Sequence, residues 1–143
     1  MASFIYDEAQ KLFLSGALNL ADNNIKVMLV SGSYTPSASS HSVTGNIGSN
    51  EIVDSLGSYT RGGKLLTSKT LSVSAGVATF DAADVSWTTS SITASGAVVY
   101  QSGATPATSY LIQYVDFGGN QTSSNGTFQI VWNSSGILNV TEA

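Results

Sequence analysis

A chain of 143 residues is long enough for one domain with a buried core, and its 10% charged residues fall far below the roughly one quarter usual in soluble domains. Ser, Thr and Asn make up about a third of the chain instead, and the five Lys and Arg are scattered, which excludes a surface that tracks nucleic-acid phosphates. The net charge of −4 argues the same way, and zero cysteines exclude disulfides, thiolate catalysis and Cys-ligated zinc.

Met1 to Glu8 carries no basic segment ahead of an apolar stretch, and no apolar run nears the length of a membrane span. The expectation is a chain with no export signal and no bilayer anchor. Ile5, Ala9, Leu12 and Phe13 recur at helical spacing, which predicts a helix from Phe4 to about Leu14. Ser3 is its expected N-cap, Asp7 and Glu8 suit the early turns, and Ser15-Gly16 is the expected stop. So short a helix is marginal alone, and its apolar stripe must dock on its own sheet or reach a neighbouring subunit as an arm.

Asp22-Asn23-Asn24 predicts a turn into a first strand, Ile25 to Val30. Residues 31–62 show little periodicity, and a loop of that length is usually functional or mobile. Ile47, Ile52, Val53 and Leu56 are the candidates to pin it. Lys69–Val73 and Gly76–Phe80 then predict a hairpin turning at Ser74-Ala75. Asp81 to Asp84 reads as a turn before Val85-Ser86-Trp87, and Ile92 to Tyr100 reads as an interior strand closed by the loop Ser102 to Pro106. Tyr110 to Phe117 is apolar on both faces, as an interior strand requires. The loop Gly118 to Gly126 ends in the turn signal Asn-Gly, and Thr127 to Trp132 alternates with Phe128, Ile130 and Trp132 on one face. A last strand spans Ile137 to Val140. About eight strands with frequent turns predict a mainly β fold, an antiparallel sandwich or barrel with a short N-terminal helix. One domain spans residues 1–143, with a helix or arm over 1–20 and the β body over 21–143.

Reactive constellations are scarce. His41 is the single histidine, set in Ser39-Ser40-His41-Ser42 with no nucleophile elbow nearby, and reads as a solvated loop residue. Asp81 and Asp84 lack a calcium-loop pattern and, like Asp116, read as turn residues, although a distant carboxylate pair of the glycosidase kind stays open. Arg61-Gly62-Gly63-Lys64 lacks the Walker spacing and reads as a glycine turn ahead of a strand. Sequons at Asn120, Asn125, Asn133 and Asn139 are what an Asn-, Ser- and Thr-rich chain produces by chance. Trp132 reads as core, while Trp87 and the six tyrosines could form a sugar-stacking platform. No catalytic residue, cofactor or metal is expected.

The order of several blocks is familiar. The helix, Ile25-Lys26-Val27-Met28-Leu29-Val30 and Ser33-Tyr34-Thr35-Pro36 are followed by Tyr59-Thr60-Arg61-Gly62-Gly63-Lys64 and Phe80-Asp81-Ala82-Ala83-Asp84-Val85-Ser86-Trp87. Then come Gly96-Ala97-Val98-Val99-Tyr100, Val115-Asp116-Phe117-Gly118-Gly119, Ser123-Ser124-Asn125-Gly126-Thr127-Phe128, Trp132-Asn133 and Gly136-Ile137-Leu138. Over nearly its whole length the chain resembles small virion proteins of tailed bacteriophages. The resemblance implies a non-enzymatic particle protein, a capsid decoration or cement protein made in the bacterial host cytoplasm and carried on the capsid surface. Its partners would be the major capsid protein and its own copies, as a trimer by preference or a dimer, with no nucleic acid and no membrane. The alternative is a tail- or baseplate-associated receptor- or carbohydrate-binding module. The residues expected at subunit or capsid contacts are Phe4, Ile5, Tyr6, Leu12 and Phe13, with 31–62 as a second docking segment.

Overall fold

The structure, a computed structural model, describes residues 2–54 and 57–141. The chain enters as a strand rather than a helix. Strand β1 (Phe4–Ile5) pairs antiparallel with β8 (Tyr110–Thr122), setting Phe4 opposite Tyr114 and Ile5 opposite Gln113. Ser3 therefore caps no helix; its Oγ accepts the Asp116 N–H at 2.9 Å. Helix α1 (Asp7–Ser15) starts three residues later than its periodicity suggests, because the edge of β8 satisfies the backbone that a first helical turn would leave bare. Asp7 and Glu8 occupy that first turn as expected, and Gly16, at φ 80°, closes the helix with its N–H on the Leu12 and Phe13 carbonyls.

The large sheet runs β1-β8-β7-β2-β3, with β2 spanning Ile25–Val30, β3 Lys64–Leu65 and β7 Thr93–Gln101. Its central strands are buried on both faces, which is why they read as unbroken apolar runs. A small sheet runs β10-β5-β4, from β4 (Thr70–Ser74), β5 (Val77–Asp81) and β10 (Leu138–Thr141). A third pair joins β6 (Val85–Ser90) to β9 (Gly126–Ile130). All three contribute to one core, a sandwich-like arrangement whose sheets keep free edges, so the barrel alternative falls.

The hairpin β4–β5 turns at Ala75-Gly76, one residue later than expected. Both residues lie in the left-handed region, φ 51° and 78°, as a two-residue primed turn demands. Strand β8 absorbs Gly118 and Gly119 and continues to Thr122, so the expected nine-residue loop shrinks to Ser123–Asn125. That loop crosses between sheets: β8 pairs with β7, whereas β9 pairs with β6, Trp87 lying opposite Phe128.

Residues 31–62 are stitched to the body rather than loose. Tyr34, Ile47, Ile52 and Tyr59 are buried, and short 3-10 turns at Thr44–Asn46 and Gly48–Asn50 fold the segment back. Val30 bridges Glu51 and Val43 bridges Tyr110. Of the expected pins, Ile47 and Ile52 act as such, Val53 is exposed, and Leu56 lies outside the described residues.

Candidate interaction surface

The reactive candidates resolve into structural roles. His41 is half-buried rather than solvated: its ring stacks on Tyr34, and its Nδ1 lies 2.9 Å from the Tyr34 hydroxyl, which lies 2.9 Å from that of Tyr6. Burial first, then the Tyr34 hydrogen bond, pushes the Tyr6 phenol far above its usual range, so this chain of hydroxyls stays protonated and ties the start of α1 to the 31–62 segment. Asp81 accepts the Ala82 N–H, Asp84 accepts that of Trp132 and Asp116 accepts that of Gly118. The last of these bonds leads the causes that hold Asp116 below the usual carboxylate range. Among the described residues no three His, Asp or Glu side chains come together as a metal group.

The Arg61-Gly62-Gly63-Lys64 turn packs against β2 so closely that a Cβ on Gly63 would meet the Val27 carbonyl oxygen at 1.8 Å. Its polar groups are spent internally. Gly62 donates its N–H to Glu51 Oε1 and accepts from the Tyr100 hydroxyl, and Tyr59 donates to the same Glu51 oxygen at 2.8 Å while accepting the Leu29 N–H at 3.0 Å. Burial raises the Glu51 carboxyl, against the pull of those donors. Glu51 was not singled out by sequence, since a lone acid in an aperiodic segment carries no pattern, and Tyr59 figured there only among the six tyrosines and in the Tyr59 to Lys64 block, not as a partner of Glu51. Glu51 and Arg61 stand beside an open cleft of about 440 Å³, which Tyr100 also lines.

The two tryptophans differ in depth: Trp87 lies within the core and Trp132 packs against it. Trp87 is fully buried, 5.4 Å from the Tyr59 ring and 6.4 Å from that of Phe128, so it offers no sugar platform. Trp132 is half-buried at the rim and donates its Nε1–H to the Ala83 carbonyl. All four sequon asparagines are exposed, and Asn139 accepts from Thr79 across the β10–β5 ladder.

The surface most unlike ordinary solvated protein lies on the small sheet. The register places Leu71, Phe80 and Leu138 in one row across the three strands, and Val73, Ala78 and Val140 in the next row on the same face. Phe80 and Leu138 reach the core, but Leu71, Val140 and Val73 remain 59%, 60% and 77% exposed. Full burial of such a side chain contributes about 1.5–3 kcal/mol, most of which the isolated chain forgoes here. A groove of about 230 Å³ lies between these residues and Leu20. A second, of about 380 Å³, separates β10 from α1, where Leu14 stands 92% exposed. Leu138 and Val140 line both grooves, and among the described residues no charged side chain lines either.

The expected contact residues divide around this surface. Ile5 and Phe13 line the α1–β10 groove. Phe4 packs its ring on Tyr6 and Tyr114, and Leu12 leans on the core. Tyr6 is fully buried and has no surface left to offer a partner, which corrects its expected role. Helix α1 docks on its own sheet and is no free arm; Leu71, Val73 and Val140 went unnoticed because their alternation is that of any half-buried strand. Comparison with protein-family models, curated proteins and solved structures finds no match to this chain.

Proposed function

We propose that this chain is a non-enzymatic structural component of a tailed-bacteriophage particle, a decoration or cement protein that binds the major capsid protein and further copies of itself. The observation that carries the reading is the largely apolar surface formed by α1, β10 and β4, which carries no charge among the described residues. A surface of that kind, rimmed by hydroxyl and amide side chains, is costly in water and favourable against another protein. The scarcity of charge elsewhere supports the same reading, because few ions need to be stripped of water when copies crowd on a shell. Small contacts repeated over many sites add strength that no single interface supplies. The resemblance of the block order to small virion proteins is in keeping with that setting.

Electron cryomicroscopy of the particle tests the reading. The expected result is density for this fold on the head, in a copy number near that of the major capsid protein. A few copies at the tail would favour the receptor-binding alternative, and absence from purified particles would overturn the proposal.

A further inference from the structure

We infer that two copies of this chain join strand to strand through β4, about a two-fold axis that passes beside Ser72. The inference rests on the reading that the chain binds its own copies, and it names the edge they share.

An exposed strand edge presents unpaired N–H and C=O groups that template another strand, and folded proteins blunt such edges by shortness, charge, bulges or a cover. The other edges here are blunted. Strands β1 and β3 have two residues each, and β3 carries Lys64, whose Nζ bonds the Ser86 carbonyl. Strand β6 loses register between Trp87 and Ser90, where Gly57 lies against its backbone. Strand β9 faces β8 across a cleft lined by Phe117 and Gln129, and β10 faces α1 across its groove. Strand β4 has none of these devices. Its five residues hold unbroken register with β5, all are exposed, and none is charged, proline or glycine.

The residue order of β4 also fits its own reverse. Laid antiparallel on a second copy and centred on Ser72, Thr70 meets Ser74, Leu71 meets Val73 and Ser72 meets Ser72. Apolar side chains then face apolar ones and hydroxyls face hydroxyls, the pairing that a two-fold, isologous contact requires. Lys69, the nearest charge in sequence, falls opposite Ala75, so no like charges meet along the strand. A slip of one residue would set Leu71 against Ser72 and turn each apolar side chain toward the wrong face. The centred register instead gives one continuous sheet of three strands from each copy, with the apolar rows merged on a single side. A strand pair of this length lies at the low end of specific interfaces, below about 1,200 Å² in total, so pairing depends on concentration in solution and is reinforced on a shell.

The absence of native cysteine makes a clean test possible on the full chain. Directly opposed Cα atoms of an antiparallel pair lie about 4.5–5.5 Å apart. That separation sits inside the span of about 4.4–6.8 Å that a disulfide accepts. Ser72→Cys should therefore give a disulfide dimer under mild oxidation. Thr70→Cys alone and Ser74→Cys alone should not, since each would lie about 13 Å from its own copy. An equimolar mixture of those two variants should cross-link. Val73→Lys, in which the fold is verified by circular dichroism, should raise the concentration at half-dimer about tenfold. Failure of Ser72→Cys to cross-link, or equal cross-linking at all three positions, overturns the β4 contact. If the chain still decorates particles in that event, the pairing alone has failed; a Ser72-linked dimer absent from particles refutes the particle role and leaves the pairing intact.

Discussion

Strand β2 has five apolar residues in six and β4 has two in five, and the apolar side chains of the two strands meet opposite fates. Strand β2 lies in the middle of the large sheet, and five of its six residues are buried. Strand β4 lies at the edge of the small sheet, and its Leu71 and Val73 stand in solvent. Residue type sets how much apolar area each strand carries, and coverage decides whether that area is buried. Around β2 the segment 31–62 folds back, placing the Tyr59 hydroxyl on the Leu29 N–H and the Gly62-Gly63 turn against Val27. Among the described residues nothing folds over Val73 and Val140, which stay 77% and 60% exposed. One region spends its apolar area on stability, while the other leaves it available to a partner.

Substitutions can break or sharpen that contrast. Trp87→Ala, at a fully buried ring packed on Tyr59 and Phe128, should lower unfolding free energy by about 3–5 kcal/mol in urea titration. A loss below about 1 kcal/mol would mean that the core is not tight there. Tyr59→Phe should cost about 1–3 kcal/mol, because the Leu29 N–H would lose its acceptor and Glu51 a donor.

The Glu51 carboxyl sharpens the contrast through pH. Burial raises its folded-state pKa above 4.5, so the fold prefers the protonated form. Its contribution is fully present below that value and is lost as pH rises through the raised folded one. Wild type should therefore lose stability over that window relative to Glu51→Gln, as thermal melts at stepped pH would read; parallel pH profiles would contradict the assignment. Smallest of all, Val73→Ser should change stability by no more than about 0.5 kcal/mol, since its side chain is already in water. A larger loss would place Val73 in the core and remove the bare surface on which the proposed role depends.

Local chemistry made much of the fold legible. Period-2 and two-sided apolar runs located β2, β5, β7 and the buried face of β9, and the left-handed requirement at Gly16 marked the end of α1. What escaped was whatever depends on a distant partner. The Gly118-Gly119 pair looks like a loop but continues as strand, because β7 offers Ala94 and Thr93 to pair with Gln121 and Thr122. The 31–62 segment looks loose, yet single residues far apart in it, Tyr34 and Tyr59, find partners for their hydroxyls, Tyr34 in the Tyr6 hydroxyl and Tyr59 in the Leu29 N–H and the Glu51 carboxylate. The candidate surface was half legible: Ile5 and Phe13 were named from the helical stripe, whereas β4 and β10 were not.

From residue order alone followed the β class, the N-terminal helix, the near absence of reactive groups and the low charge, since each depends on side-chain type and on the short-range period of the backbone. Assembly in space settled which tryptophan sits in the core, that Tyr6 is sealed away, and which apolar rows go uncovered. The physical reason is that burial belongs to pairs of surfaces: an alternating strand states which face is apolar, and only the packed chain shows whether anything covers it.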